Sequence, residues 1–357
     1  MSIKRMFDAV EFHEGEPMRV VTSGVPSIPG NTVYEKMKWL RENDDQIRHL
    51  MLREPRGIPA TCCNLLVNSN REDCKCGYII MEQEEYPMMS GGNTIAVATV
   101  LLETGIVPMT DEIQEFNLEA PAGVIHIKAY NDLQKKKCRQ VEFTNVPAFA
   151  VYLDKEIDVP EIGKVKVDIA WGGMFFAVID ATQFKQYGPN GIDIIPENGK
   201  ELQRLNALIV TAANEQCPVS HPDYPGVGIT VTEMHMPPKT PGTTCRTINL
   251  YPSCEVHFDD PTTWTGALDR GVCGTGCCAT MAVMHAKGQL KIGEPFVNEG
   301  ILGVQFNCHL SEEIDNFHGY KAVVPHVRGG GWIYGYSKWV LDDEDPFTDG
   351  FKIGDIW

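Results

Sequence analysis

The chain has 357 residues, of which 43% are hydrophobic and 22% charged, a composition ordinary for a compact folded protein and long enough for two domains. Lys and Arg total 31 against 48 Asp and Glu, a formal charge of −17, and the longest basic run is Lys135-Lys136-Lys137. That balance excludes a nucleic-acid or anionic-membrane partner and leaves small molecules. No apolar run reaches the roughly 20 residues of a membrane helix, and the first residues, MSIKRMFDAVEFHEGEP, carry acids where a secretory signal has an apolar stretch. The expected location is the cytoplasm. Twelve cysteines in so long a chain are too dilute for a disulfide scaffold and stay thiols in a reducing compartment.

In chain order, a strand is predicted at Val20–Ser23, stopped by PSIPG, then a helix from Tyr34 into Arg48. A strand follows at Gly77–Met81, a helix at Ile95–Glu103, and strands at Val124–Ala129 and Ala177–Asp180. Helices at Glu201–Ala213 and Ala279–Ala286 and a strand at Ala322–Pro325 complete the set. The class is α+β.

An internal repeat organises this series. Ser90-Gly-Gly-Asn-Thr-Ile-Ala-Val-Ala-Thr-Val-Leu-Leu-Glu-Thr-Gly105 lies alongside Cys273-Gly-Thr-Gly-Cys-Cys-Ala-Thr-Met-Ala-Val-Met-His-Ala-Lys-Gly288. Each copy opens on a nucleophile-type residue followed by Gly, runs through small and apolar residues for about three turns, and stops at a Gly suited to the left-handed helix cap. Two similar domains follow, each presenting one reactive side chain at the start of a buried helix.

Aligned peptide dipoles and free N–H groups at a helix N-terminus favour a thiolate, so the Cys273 pKa is expected to be lowered and Cys273 is a candidate base. Ser90 is a far weaker base but a plausible proton donor or relay. The amides of Gly91 and Gly92, and of Gly274 and Thr275, are placed to hold a substrate carboxylate and the enediolate charge left when an α-proton departs. Two opposed proton-handling groups would epimerise an amino acid; loss of a β-hydroxyl along with the α-proton would dehydrate it. Neither needs a cofactor.

With these residues in place, the chain resembles the proline racemase family of racemases, 4-hydroxyproline epimerases and trans-3-hydroxy-L-proline dehydratases. The blocks VVTSGVPSIPGNTVYEK, REPRG, MMSGGNTIAV, DRGVCGTG, AKGQLKIGEPFVNEGILGVQF and LDDEDPFTDGF carry the resemblance in the family's order over nearly the whole chain. It implies two domains of the diaminopimelate-epimerase type, each with a buried central helix and with the active site in the cleft between them. The expected ranges are 1–146 with Ser90, completed by 338–357, and 147–337 with Cys273. By position, Ser90 and Cys273 take the places of the catalytic pair, Asp269 that of an aspartate on the substrate's ring-nitrogen side, and Gly91, Gly92, Asn93, Gly274 and Thr275 those of substrate-binding groups. Ser90 stands where the family usually has Cys, and Gly92 where it has His. A Ser/Cys pair resembles members that dehydrate trans-3-hydroxy-L-proline to pyrroline-2-carboxylate, which is the expected reaction. The alternatives are 4-hydroxyproline 2-epimerisation or proline racemisation, and a non-catalytic member that only binds proline or hydroxyproline. The length fits a monomer or a homodimer.

Other motifs read as structural. Cys62-Cys63, Cys74-x-Cys76 and Cys277-Cys278 lack zinc spacing, so no metal is expected and they are core thiols. WGGMFFAVID lacks a phosphate-loop pattern, His221 and His235 are structural histidines, and GGGWIYG at 329–335 is a turn entering a strand. In the alternative to catalysis, Ser90 serves only as a helix N-cap. Residues 240–266 exceed what the family pattern needs and read as a lid or a surface loop.

Overall fold

The computed structural model describes residues 3–252 and 254–354; residues 1, 2, 253 and 355–357, which fall within the ranges named above, lie outside them. The chain separates into two compact units, Met1–Thr144 with Arg328–Trp357, and Asn145–Val327.

The first unit contains β1 (Ile3–His13), β2 (Pro17–Ser23), α1 (Val33–Asn43), α2 (Gln46–Leu52), β3 (Cys62–Val67), β4 (Cys74–Met81), α3 (Gly91–Glu103), β5 (Ile113–Ala120), β6 (Gly123–Asp132) and β7 (Lys137–Thr144). The second contains β8 (Ala148–Val159), β9 (Gly163–Trp171), β10 (Phe175–Asp180), α4 (Gly199–Gln216), β11 (Ile229–Met236), β12 (Cys245–Pro252), β13 (Gly266–Leu268), α5 (Gly274–Ala286), β14 (Phe296–Glu299), β15 (Gln305–Phe317) and β16 (Tyr320–Gly329). The last strand, β17 (Trp332–Asp342), returns to the first unit and pairs antiparallel with β1.

The two units repeat one pairing scheme. In the first, β1–β2 is antiparallel, β2–β3 parallel, β3–β4 antiparallel, β4–β5 parallel and β5–β6 antiparallel. In the second, β9–β10, β10–β11, β11–β12, β12–β14 and β14–β15 follow in the same order of sense. Parallel neighbours need a crossover, and the two corresponding crossovers, β4 to β5 and β12 to β14, carry α3 and α5. These helices are the two copies of the sequence repeat. Every residue from Gly91 to Leu102 is buried, as is every residue from Gly274 to Val283. A helix apolar all round, unlike a surface helix with one stripe, has no face to offer water. Both end on the predicted glycine in the left-handed region, Gly105 at φ +78° and Gly288 at φ +71°.

Two expectations change. The helix predicted from Tyr34 into Arg48 is broken into α1 and α2 at Asp44 and Asp45. Short acidic side chains compete with helical backbone bonding, and here Asp45 is used otherwise: its carboxylate takes Arg48 and the Tyr86 hydroxyl, each at 2.6 Å. Against burial, which would raise it, hydrogen bonds from His49, Arg48 and Tyr86 hold Asp45 well below the ordinary carboxylate range. The 240–266 segment is not a surface excursion throughout. Cys245–Pro252 forms β12, flanked by β11 and β14; residues 240–244 before it and the stretch after it are loop, the latter tied by the Trp264 indole donating to the His257 carbonyl at 2.8 Å.

The β9–β10 turn sets the position of α5. Gly172 leaves so little room that a Cβ there would collide with the Thr275 carbonyl and lie 2.6 Å from the Ala279 nitrogen. Gly172→Ala is therefore expected to push the start of α5 off the sheet and lose about 1–3 kcal/mol, read by urea unfolding.

Candidate active site

Cys273 is the N-cap of α5, with φ −70° and ψ 110°. Its half-buried Sγ accepts the Gly276 N–H at 3.3 Å and lies 3.6 Å from the Thr275 hydroxyl. The amides of Gly274 and Thr275, in the same turn, have no intrahelical acceptor. Asp269 is buried in the turn leading into the helix; its backbone N–H donates to the Asn249 carbonyl at 3.1 Å and its carboxylate accepts from Gly271 N–H at 3.0 Å. The expected fall in the Cys273 pKa does not appear. Burial, with the carboxyl groups of Glu233 and Asp269 adding to it, pushes the thiol well above its ordinary value, and the favourable contacts from Thr275 and Gly276 are outweighed. A helix N-terminus supplies only partial charge, whereas desolvation acts on the whole thiolate.

Glu233, which the sequence reading passed over, is fully buried in β11. Its carboxyl lies where a Cβ on Gly276 would have to go. Burial first pushes this acid well above the carboxylate range; Asp269 raises it further, and the Thr247 hydroxyl opposes them.

The corresponding end of α3 is built differently. Ser90 is the N-cap residue, with φ −146° and ψ 128°, yet its side chain makes no capping bond. Instead Asn93 Nδ2 donates to Ser90 Oγ at 2.9 Å, and Asn64 of β3 donates to Asn93 Oδ1 at 2.6 Å. The Asn93 side chain is thus engaged within the protein, orienting Ser90 as a hydroxyl whose own proton points away from Asn93. Gly92 is also covered, less closely than Gly276: a Cβ there would lie 2.9 Å from Glu14 Oε1 and 2.7 Å from Met18 Cε, and Glu14 is only 1% exposed. The side chain missing at Gly92 is thereby replaced by a buried carboxyl from the β1–β2 turn.

Sequence patterns could flag these carboxyls only weakly. Glu14 sits in the turn HEGEP, which reads as polar surface, and Glu233 breaks the apolar alternation of ITVTEMHM, a buried-face position at which an acid is conspicuous.

The remaining residues take structural places. His221 packs against Trp171 and Tyr224, at ring separations of 4.4 and 4.6 Å, and burial lowers its pKa to about 4, so it is neutral at pH 7. Burial likewise lowers His235. Cys62, Cys63, Cys277 and Cys278 are buried, Cys74 and Cys76 partly so. Among the described residues no cluster of three His, Cys, Asp or Glu is placed to hold a metal, and no helix is long and apolar enough to cross a membrane.

Comparison with known proteins identifies the family. The proline racemase family model matches residues 9–352. The 4-hydroxyproline 2-epimerase 1 of Rhizobium rhizogenes is 33% identical over 100% of this chain and 98% of its own, and the proline racemase of Clostridioides difficile is 35% identical over 99% and 100%. The crystal structure of a hydroxyproline epimerase from Agrobacterium vitis, with bound trans-4-hydroxy-L-proline, superposes with a TM-score of 0.89 at 33% identity, covering 100% of this chain and 97% of that one. A Bacillus anthracis protein of the PhzF family, 9% identical over 94% of this chain and 99% of its own with a TM-score of 0.58, shares the fold alone. The chain belongs to the proline racemase family, and is an enzyme of its racemase, epimerase and lyase class.

Because the thiolate is the nucleophile and the Cys273 pKa is raised above 9.0, alkylation of Cys273 by iodoacetamide in the ligand-free protein should be slow at pH 7. It should accelerate only in alkaline solution, beyond the range of an ordinary thiol, as peptide mapping by mass spectrometry would show.

Proposed function

We propose that the protein takes the α-proton of a hydroxyproline without a cofactor, and that the reaction is 2-epimerisation of 4-hydroxyproline. The observation that carries this reading is the charge pattern around Cys273. Open amides at the end of a buried helix adjoin the thiol, and two carboxyl groups, Asp269 and Glu233, act on it as well. A zwitterionic imino acid matches both: its carboxylate suits the amides of Gly274 and Thr275, and its cationic ring nitrogen suits the acids. The incoming positive charge also lowers the thiol's pKa, so the base would be generated when substrate binds.

In the forward step the Cys273 thiolate takes the α-proton and becomes a thiol, and the electron pair passes into the carboxylate as an enediolate held by backbone N–H groups. Ser90, its Oγ fixed by Asn93, donates its hydroxyl proton to the opposite face; solvent then returns a proton to the Ser90 alkoxide and takes the one held by the Cys273 thiol. Gly91 and Gly92 supply the matching amides. The likeness to a 4-hydroxyproline 2-epimerase and to an epimerase structure containing trans-4-hydroxy-L-proline supports the ring class. It also moves the reading from dehydration, which the Ser90 substitution led one to expect, to epimerisation.

Dehydration of trans-3-hydroxy-L-proline remains a second reading on one observation. A serine held by an amide is a poor base, and elimination asks only Cys273 for proton abstraction. There the electron pair forms the ring Cα=Cβ bond, hydroxide leaves and takes up a proton as water, and the enamine tautomerises to the pyrroline.

Proton NMR in deuterated buffer separates the readings. With trans-4-hydroxy-L-proline, deuterium at the α-carbon and a second diastereomer are expected; conversion of trans-3-hydroxy-L-proline to pyrroline-2-carboxylate without epimerisation would replace the main reading by the second. No change with either substrate would leave the binding-only reading. Cys273→Ser should remove turnover altogether, a fall of at least about a thousandfold, about 4 kcal/mol in the barrier. Ser90→Ala should suppress epimerisation while Ser90→Cys raises it, measured as the ratio of diastereomer formed to deuterium incorporated.

A further inference from the structure

Glu233 sits at mid-strand in β11, paired with Asn249 of β12 and with Val178 of β10, and is fully buried. The one polar group that stabilises its carboxylate form is the Thr247 hydroxyl, and neither oxygen has a close, well-aligned hydrogen-bond donor among the described residues. Both oxygens press on Gly276, where a Cβ would collide with them. The N–H of that same Gly276 donates to Cys273 Sγ at 3.3 Å. One backbone residue therefore touches the thiol and the carboxyl, and its glycine is required by the carboxyl's position.

The groups facing this acid are few. Asp269 comes from the turn before α5, Cys273, Cys277 and Cys278 from α5 itself, and Cys245 with the Thr247 hydroxyl from β12, while β10 presents Val178. No cation is among the groups acting on Glu233. Where two acids in a buried setting both adjoin Gly276, ionising one disfavours ionising the other.

We propose that Glu233 is a positioning residue for Cys273, forming with it a coupled acid pair in which carboxylate and thiolate exclude each other, so that the thiolate exists only while Glu233 keeps its proton. This rests on the reading of Cys273 as the base. The pair then carries one negative charge at most before substrate arrives. A second charge becomes affordable when a cationic ring nitrogen enters, which ties the base's activation to a zwitterionic ligand and keeps the empty site unreactive.

The test is the rate of Cys273 alkylation by iodoacetamide against pH in the full-length protein, with the modified peptide quantified by mass spectrometry. Wild type is expected to show two ionisation steps. Glu233→Gln is expected to show one, with its midpoint lower by about one unit or more, so that Cys273 is alkylated about tenfold faster at intermediate pH. Glu233→Asp, which keeps the acid, should restore two steps. A wild-type profile in Glu233→Gln overturns the inference, as does Glu233→Asp behaving like Gln. A measurement on wild type serves if the variants lose the fold. The infrared band of a protonated buried carboxyl should titrate at lower pH once Cys273 is carbamidomethylated, and an unmoved band overturns the coupling. These readings use no substrate. A shifted profile in a protein that turns over neither hydroxyproline leaves the pair standing and removes the proposed reaction; an unshifted profile with turnover intact does the reverse.

Discussion

A helix with no hydrophilic face can exist only inside protein, and that constraint governs this molecule. In α3 and α5 every residue of the first three turns is buried. Only their last residues, such as Glu103 and His285, reach the surface, so the polar features at their buried ends are the unsatisfied amides of the first turn. The sheets supply the enclosure. Each unit wraps its helix with the same series of parallel and antiparallel pairings, and each helix enters as the crossover that a parallel pair demands. The groups to which the proposed function assigns chemistry lie at one place in each unit: the first turn, where Ser90 or Cys273 meets the amides that follow it.

Burial has a second effect, opposite to the one the helix end suggests. The dipole favours charge on Cys273, but the surroundings that hold the helix also strip water from the thiol and place carboxyl groups beside it. Desolvation wins, and the resting residue is a thiol. Under the proposed function the site is poised rather than active, because no cation among the described residues is a main influence on Cys273. An amino-acid ligand carries that charge with it.

Much of this was legible in the sequence. The repeat located both central helices and both terminal glycines, because Gly in the left-handed region leaves a local mark. The nucleophile positions were legible for the same reason, lying within the repeated segments. Features that depend on residues distant in the chain were not. Glu14 and Glu233 reach the helix ends from a turn and a strand far away, and nothing in the sequence around Gly92 and Gly276 shows that a distant carboxyl lies against each. Asn64 orients Asn93, which holds Ser90, across 29 positions, and no spacing rule connects them. The α1–α2 break was missed because apolar periodicity continued past Asp44 and Asp45, while the partner that uses Asp45, Tyr86, lies 41 residues on. The sign of the Cys273 shift failed similarly: dipole direction can be read locally, but burial cannot.

The return of β17 to pair with β1 has a consequence for synthesis on the ribosome. Ten residue pairs join the two strands, from Ile3 with Asp342 to His13 with Trp332. The first unit therefore cannot close until the chain beyond residue 330 has emerged, whereas Asn145–Val327 is a continuous stretch. Translation order and completion order are reversed: the segment that holds Ser90 is made first and finished last. Until then β1 presents an open edge, the kind of surface that pairs with other chains. Charged residues at Lys4, Arg5, Asp8 and Glu11 interrupt its apolar run, a pattern that limits such pairing during the wait.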